Sequence, residues 1–175
     1  MSRKVYVKSG FMVLLVAGIA LLAVFVVGKL HSKGRASQPI AFDHKVHIDN
    51  AGLHCADCHV HAGDNPVATI PSLEVCQNCH SAEPVSKSPE ELKVLKYVAE
   101  RREIPWQQIY RVPDHVYFSH RRHVTVGKLE CSACHGNMNE QTMPVTVPFL
   151  DVTMANCTNC HKEHKITNDC LACHR

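Results

Sequence analysis

The chain has 175 residues, ten cysteines, fourteen histidines and a formal charge of +3. All ten cysteines fall in five C-x-x-C-H motifs, so none is left over for a structural disulfide. The small positive charge does not mark a nucleic-acid binder, because the cofactor these motifs imply carries roughly two negative charges per copy.

Residues 11–28, FMVLLVAGIALLAVFVVG, are uncharged. Such a run matches the roughly 20 residues that one helix needs to cross the hydrocarbon layer. Large aliphatic and aromatic residues each favour insertion by about 0.3 to 0.6 kcal/mol, which sums here to several kcal/mol. A cleaved signal peptide has a shorter apolar region and a small-residue cleavage site; Gly34-Arg35-Ala36 is a poor one. The expectation is a tail over 1–10, an uncleaved transmembrane anchor over 11–30 and a linker over 31–40. Arg3, Lys4 and Lys8 precede the anchor and Lys29, Lys33 and Arg35 follow it, so charge alone barely orients it.

Residues 41–82 hold FDHKVH at 42–47, CADCH at 55–59 and CQNCH at 76–80. C-x-x-C-H is the c-type haem attachment signal. Its two thiols add to the porphyrin vinyl groups and its histidine binds the iron from below. Cys55, Cys58, Cys76 and Cys79 are thus attachment residues, with His59 and His80 as proximal ligands. Zinc also takes paired cysteines and histidines, but it has no reason to demand a histidine after every second cysteine.

Residues 83–117 connect this first, two-haem module to a second. Ser88 as N-cap, Pro89 at the first position and Glu91 at the third predict a helix over 89–102, closed before Ile104-Pro105. Leu92, Leu95 and Val98 recur at helical spacing, and Lys93, Lys96, Glu100 and Arg101 form a solvated face. Trp106 and Tyr110 read as haem-packing or interface residues.

Residues 118–175 form the three-haem module: FSHRRH at 118–123, then CSACH at 131–135, CTNCH at 157–161 and CLACH at 170–174. Cys131, Cys134, Cys157, Cys160, Cys170 and Cys173 are attachment residues; His135, His161 and His174 are proximal ligands. His44 and His120 each stand eleven residues before the first cysteine of their module, an internal repeat. Protein ligands on both faces of a haem keep it for electron transfer and exclude substrates. The distal ligands read as His44 for the first haem, His47 for the second, His120 for the third and His123 for the fourth. For the fifth, Met154 leads, with His164 and His61 as alternatives; a thioether would raise that haem's potential. His31 reads as a juxtamembrane surface residue, His54 and His115 as hydrogen-bonding or surface residues. Five covalently attached haems c would themselves be the core. The expected fold is mostly irregular with short α-helices wrapped around the haems and little or no β.

F-x-H-x-x-H followed by closely spaced C-x-x-C-H motifs resembles the class III multihaem cytochromes, the cytochrome c3 and c7 group. In its three-haem members a ligand just ahead of the second motif serves the third haem; Met154 stands at the matching place here. IPSLEVCQNCH, REIPW, VPDHVYFSHRRHVTVGKLECSACHG and VTMANCTNCH together resemble the pentahaem membrane-anchored subunit of alternative complex III, a bacterial quinol:electron-acceptor oxidoreductase. That resemblance implies electron transfer from a quinol-oxidising membrane complex to a periplasmic cytochrome c or a terminal oxidase. It implies as partners an iron–sulfur subunit, polysulfide-reductase-like integral membrane subunits and a monohaem cytochrome c. A self-sufficient membrane-anchored quinol dehydrogenase feeding a periplasmic reductase is the other reading. Haem is attached on the outer side of the bacterial inner membrane, so the haem-bearing part is expected in the periplasm.

Overall fold

The computed structural model describes residues 12, 15–26 and 35–174. The chain divides into two compact units, residues 1–35 and 36–175. In the first, residue 12 and residues 15–26 are helical. The expected tail over 1–10 lies outside the described residues, and so does part of the expected anchor over 11–30. Among the described residues no helix is long and apolar enough to cross a membrane.

The second unit is a series of short helices: His44–Ala51, Cys55–Cys58, Leu73–Gln77, Pro89–Ala99, Ser132–His135, Met154–Glu163 and Cys170–Cys173, with a π-helical turn Arg122–Val126 and a 3-10 turn Met138–Glu140. Among the described residues the extended backbone pairs only in one isolated antiparallel bridge, Val116 to His174. Each helix at a C-x-x-C-H motif is short because its task is local. One turn brings the two cysteines, three residues apart, to the same side.

The His44–Ala51 helix starts where Asp43 accepts a hydrogen bond from the Val46 N–H (2.9 Å) and ends on Gly52 at φ 67°. Asp43→Ala removes that cap. The expected cost is about 1 kcal/mol, read as a lowered urea midpoint with the helix that carries His44 and His47 loosened first.

Very little of this unit is packed in the usual way. Ile40, Leu73 and Ile104 are its buried hydrophobic residues among those described, and Val94, Tyr97, Val98 and Trp106 pack against them. So small a side-chain core cannot offset the entropy of ordering this much irregular backbone. Something else must fill the interior.

The connecting helix differs from its prediction in length and rotation. It stops at Ala99, short of 102, because Arg101 turns to φ 48° and breaks the helical run before Ile104-Pro105 is reached. Leu92 is exposed, whereas Val94 and Val98 pack inward on the same side as Glu91, which is 5% exposed. A buried carboxylate with four donors around it decides which face turns inward, and Leu92 gives way. Lys93 and Lys96 are solvated, pairing with Glu90 (2.6 Å) and Glu100 (3.8 Å).

Candidate haem centres

None of the ten cysteines is in a disulfide. The thiols of different motifs lie beside one another in a definite order. Burial raises the Cys58 pKa, and so do its neighbours Asp57, Cys79 and Cys55. Cys131 is raised by burial and by Cys55, Cys134 by burial and by Cys160 and Cys157, and Cys157 by burial and by Cys173. The motifs therefore run in space as second, first, third, fourth, fifth.

The join between the first and third motifs is made by backbone. His120 N–H donates to the Pro66 carbonyl (2.9 Å), Arg121 N–H to the Asn65 carbonyl (3.1 Å), and the Thr125 hydroxyl to the Gly63 carbonyl. Residues 63–66 lie in the loop just after the first motif, so the second F-x-H-x-x-H segment is seated on that loop.

The two F-x-H-x-x-H segments fold alike. Phe42 lies against His47 with ring centres 4.4 Å apart at 23°, and Phe118 against His123 at 4.6 Å and 23°. Phe42 meets His44 edge-on at 4.8 Å, and Phe118 meets His120 at 4.9 Å. His47 Nδ1 bonds the carbonyl of Asp43 (2.7 Å), and His123 Nδ1 that of Ser119 (2.8 Å), each four residues back. The aromatic ring and the carbonyl together hold each imidazole in one orientation.

These bonds also set the tautomer. A carbonyl can only accept, so Nδ1 carries the proton and Nε2 keeps its lone pair for a metal. The same holds for His120 on the Pro66 carbonyl (3.2 Å), His161 on the Thr167 carbonyl (3.1 Å) and, at 3.5 Å, His59 on the Thr69 carbonyl. His80 Nδ1 donates to the Glu91 carboxylate at 2.8 Å. His44 Nδ1 is buried and without a hydrogen-bond partner. His61 Nδ1 lies 2.9 Å from the Asn65 amide nitrogen and 3.8 Å from an Asp64 carboxylate oxygen, both in its own loop.

The histidines of the motifs face histidines outside them. His47 and His80 have ring centres 6.2 Å apart, His120 and His135 6.4 Å, His123 and His161 6.2 Å, and His115 and His174 5.6 Å. An imidazole nitrogen binds a first-row metal at about 2 Å with its ring centre roughly 1 Å beyond, so two rings on opposite sides of one iron are roughly 6 Å apart. The phenyl–imidazole contacts above are clearly closer. His44 lies near His59: burial lowers its pKa first, then the charges of His59 and His47. Burial likewise lowers His59 and His135, with His120 adding to both. Neutral imidazoles are what metal ligation requires.

The remaining candidates are placed differently. Met154 opens the Met154–Glu163 helix and is 66% exposed. His164 is exposed and closes the same helix, its N–H donating to the Cys160 carbonyl (3.0 Å). His54 is exposed and forms the N-cap of Cys55–Cys58.

Two residues beside the motif histidines carried no such signal in the sequence. Glu91 reads there as an ordinary N-terminal helix glutamate, and His115 as a hydrogen-bonding or surface residue. Their positions depend on partners far along the chain.

Tyr110 and Gly136 build the third motif's surroundings. Tyr110 hydroxyl donates to the Cys134 carbonyl (3.1 Å) and accepts from the Phe149 N–H (2.8 Å), and its ring lies 4.6 Å from that of His135. Gly136 follows His135 at φ 72°, ψ −173°, a region essentially restricted to glycine. A Cβ there would stand 2.7 Å from the Phe149 ring. Gly136→Ala is expected to destabilise by about 1–3 kcal/mol and to disturb the spectrum of the haem at the third motif most.

The donor set fits covalent haem: paired thiols, imidazoles with free Nε2 atoms, facing rings and an interior that side chains leave unfilled. Among the described residues no three His, Cys, Asp or Glu side chains converge as a metal site. The class III cytochrome c family matches residues 25–107, and the family of cytochrome c7 and related cytochromes c matches residues 116–175. The chain is 37% identical over 131 residues to a Nitratidesulfovibrio vulgaris protein named menaquinone reductase, multihaem cytochrome c subunit. That alignment takes in 74% of this chain, which spans 60% of the length of its relative. The chain belongs to the class III and c7-like multihaem cytochromes c, electron-transport proteins that carry covalently attached haem c.

Proposed function

We propose that the chain is a five-haem conductor within a quinone-linked respiratory complex of the bacterial inner membrane. The observation that carries this is the pairing of motif histidines with outside histidines at about one iron's separation. Bound haem supplies one-electron chemistry at each iron, with no atom transferred. The protein's work is to hold the irons in sequence, withhold coordination sites from substrates and set the order of potentials.

Residues 11–30 serve in this reading as the anchor, and the haem-bearing part faces the periplasm. The exposed apolar side chains of the 15–26 helix, Leu21 and Val24 at 72% and Phe25 at 62%, suit a lipid surrounding. The partners are an iron–sulfur subunit, polysulfide-reductase-like membrane subunits that hold the quinone, and a monohaem cytochrome c. Two directions of flow fit. An alternative complex III type would draw electrons from quinol toward a periplasmic cytochrome or oxidase. The name of the Nitratidesulfovibrio relative favours the opposite direction, toward menaquinone, and this is the second reading.

A self-sufficient quinol dehydrogenase would need a haem left open to its substrate, and the paired imidazoles argue against one. The test is the chain isolated from its native membrane with and without what accompanies it. Five thioether-linked haems by mass, low-spin iron throughout, and quinone-dependent turnover only when the membrane subunits are present are expected. Quinol oxidation by the isolated chain, or fewer than five haems, would overturn the proposal.

A further inference from the structure

The geometry points to His115, rather than Met154, as the sixth ligand of the fifth haem; the inference rests on the five-haem reading above. His115 and His174 have ring centres 5.6 Å apart and planes 13° from parallel. This is the relation that His120 bears to His135, at 6.4 Å and the same 13°. The placement is fixed by backbone. The bridge between Val116 and His174 and the Tyr117 N–H bond to the Cys173 carbonyl (2.7 Å) lay residues 116–117 along the fifth motif. Val116 N–H in turn donates to the Pro113 carbonyl (2.9 Å), closing a turn that carries His115. Its ring is thus brought to His174 by two hydrogen-bonded anchors, one on each side.

The three earlier candidates lack such a relation. Met154 projects from the start of its helix and is 66% exposed. His164 caps the other end of that helix, exposed. His61 is exposed, and its Nδ1 faces Asn65 (2.9 Å) and Asp64 (3.8 Å) in its own loop. With His115 in place, every haem has two imidazoles. No thioether then raises the potential at the end of the chain, so the order of potentials is set by burial and by hydrogen bonds to the ligands.

The test uses the full anchored chain with its haems attached. His115→Gly is expected to turn one of five irons high-spin in the ferric electron paramagnetic resonance spectrum. Added imidazole should restore it to low-spin. His115→Met is expected to keep all five low-spin while raising one potential, and Met154→Leu to leave both spectrum and potentials unchanged. Where His115→Gly does not fold, near-infrared magnetic circular dichroism of the unaltered protein decides against Met154, only bis-histidine bands being expected, and five low-spin irons in His164→Gly and in His61→Gly decide against those two. A thioether band there, or a high-spin iron created by Met154→Leu, His164→Gly or His61→Gly and not by His115→Gly, would overturn the assignment. Mass measurement of the unaltered chain separates this from failure of the five-haem reading, which would appear as missing haems.

Discussion

Replacing Glu91 by glutamine should raise the potential of the haem at the second motif on the order of 50 mV, about 59 mV corresponding to 1.4 kcal/mol for a one-electron couple. Glu91 is 5% exposed. Its carboxylate accepts from the Val85 and Ser86 N–H groups (2.7 Å each), the Ser86 hydroxyl and His80 Nδ1 (2.8 Å). The Ser86 hydroxyl, working against burial and joined by Val85 and His80, holds the carboxyl down to about 2. An anion on the far nitrogen of a metal-binding imidazole makes the near nitrogen a stronger donor, which favours ferric iron. Glutamine keeps the shape and removes the charge. It also turns one acceptor into a donor that faces other donors, at a cost of about 1–3 kcal/mol. Glu91→Ala leaves all four donors unmet and should cost about 3–5 kcal/mol. Spectroelectrochemical titration and urea unfolding check the two effects separately. Unchanged potentials in Glu91→Gln, with stability lowered, would leave Glu91 as a structural residue only.

His120→Met is expected to interrupt conduction in the middle of the chain. The third motif lies between the first and the fourth, by the neighbours of Cys131 and Cys134. A thioether in place of an imidazole raises a haem's potential, within the roughly 0.8 V over which axial ligands tune it. A rise on the order of 0.1 V would make the middle haem a trap. Electrons entering at either end should reach it quickly and leave it slowly, while the potentials at the other motifs stay within a few tens of mV, about 1 kcal/mol or less. Time-resolved reduction followed at separate haem bands would display this. Unimpeded passage between the second and fifth motifs would mean that the third is not on the route. The same substitution also removes the Nδ1 bond to Pro66 (3.2 Å), but the backbone bonds from His120 and Arg121 to residues 65–66 remain, so the two modules should stay joined.

Both effects turn on relations that no local reading contains. Glu91 meets His80 from eleven residues away, and the rotation of the 89–99 helix follows from that meeting. The hydrophobic spacing alone pointed to Leu92 as inward. His115 faces His174 because residues 116–117 pair with the fifth motif and the Val116 N–H closes a turn onto Pro113. Met154 looked better placed because it stands just before a motif, but nearness in sequence does not aim a side chain.

What the sequence by itself determined is the covalent chemistry. Five C-x-x-C-H motifs and two F-x-H-x-x-H segments are local patterns. One helical turn suffices to align two thiols, and an i to i−4 carbonyl bond suffices to orient His47 and His123. The tertiary structure alone decided that His115 faces His174, the spatial run of the motifs and the surroundings of a buried carboxylate. Those relations depend on chain segments far apart in sequence being held within a few ångströms, and the constraint comes from packing and backbone pairing rather than from any residue's own preference.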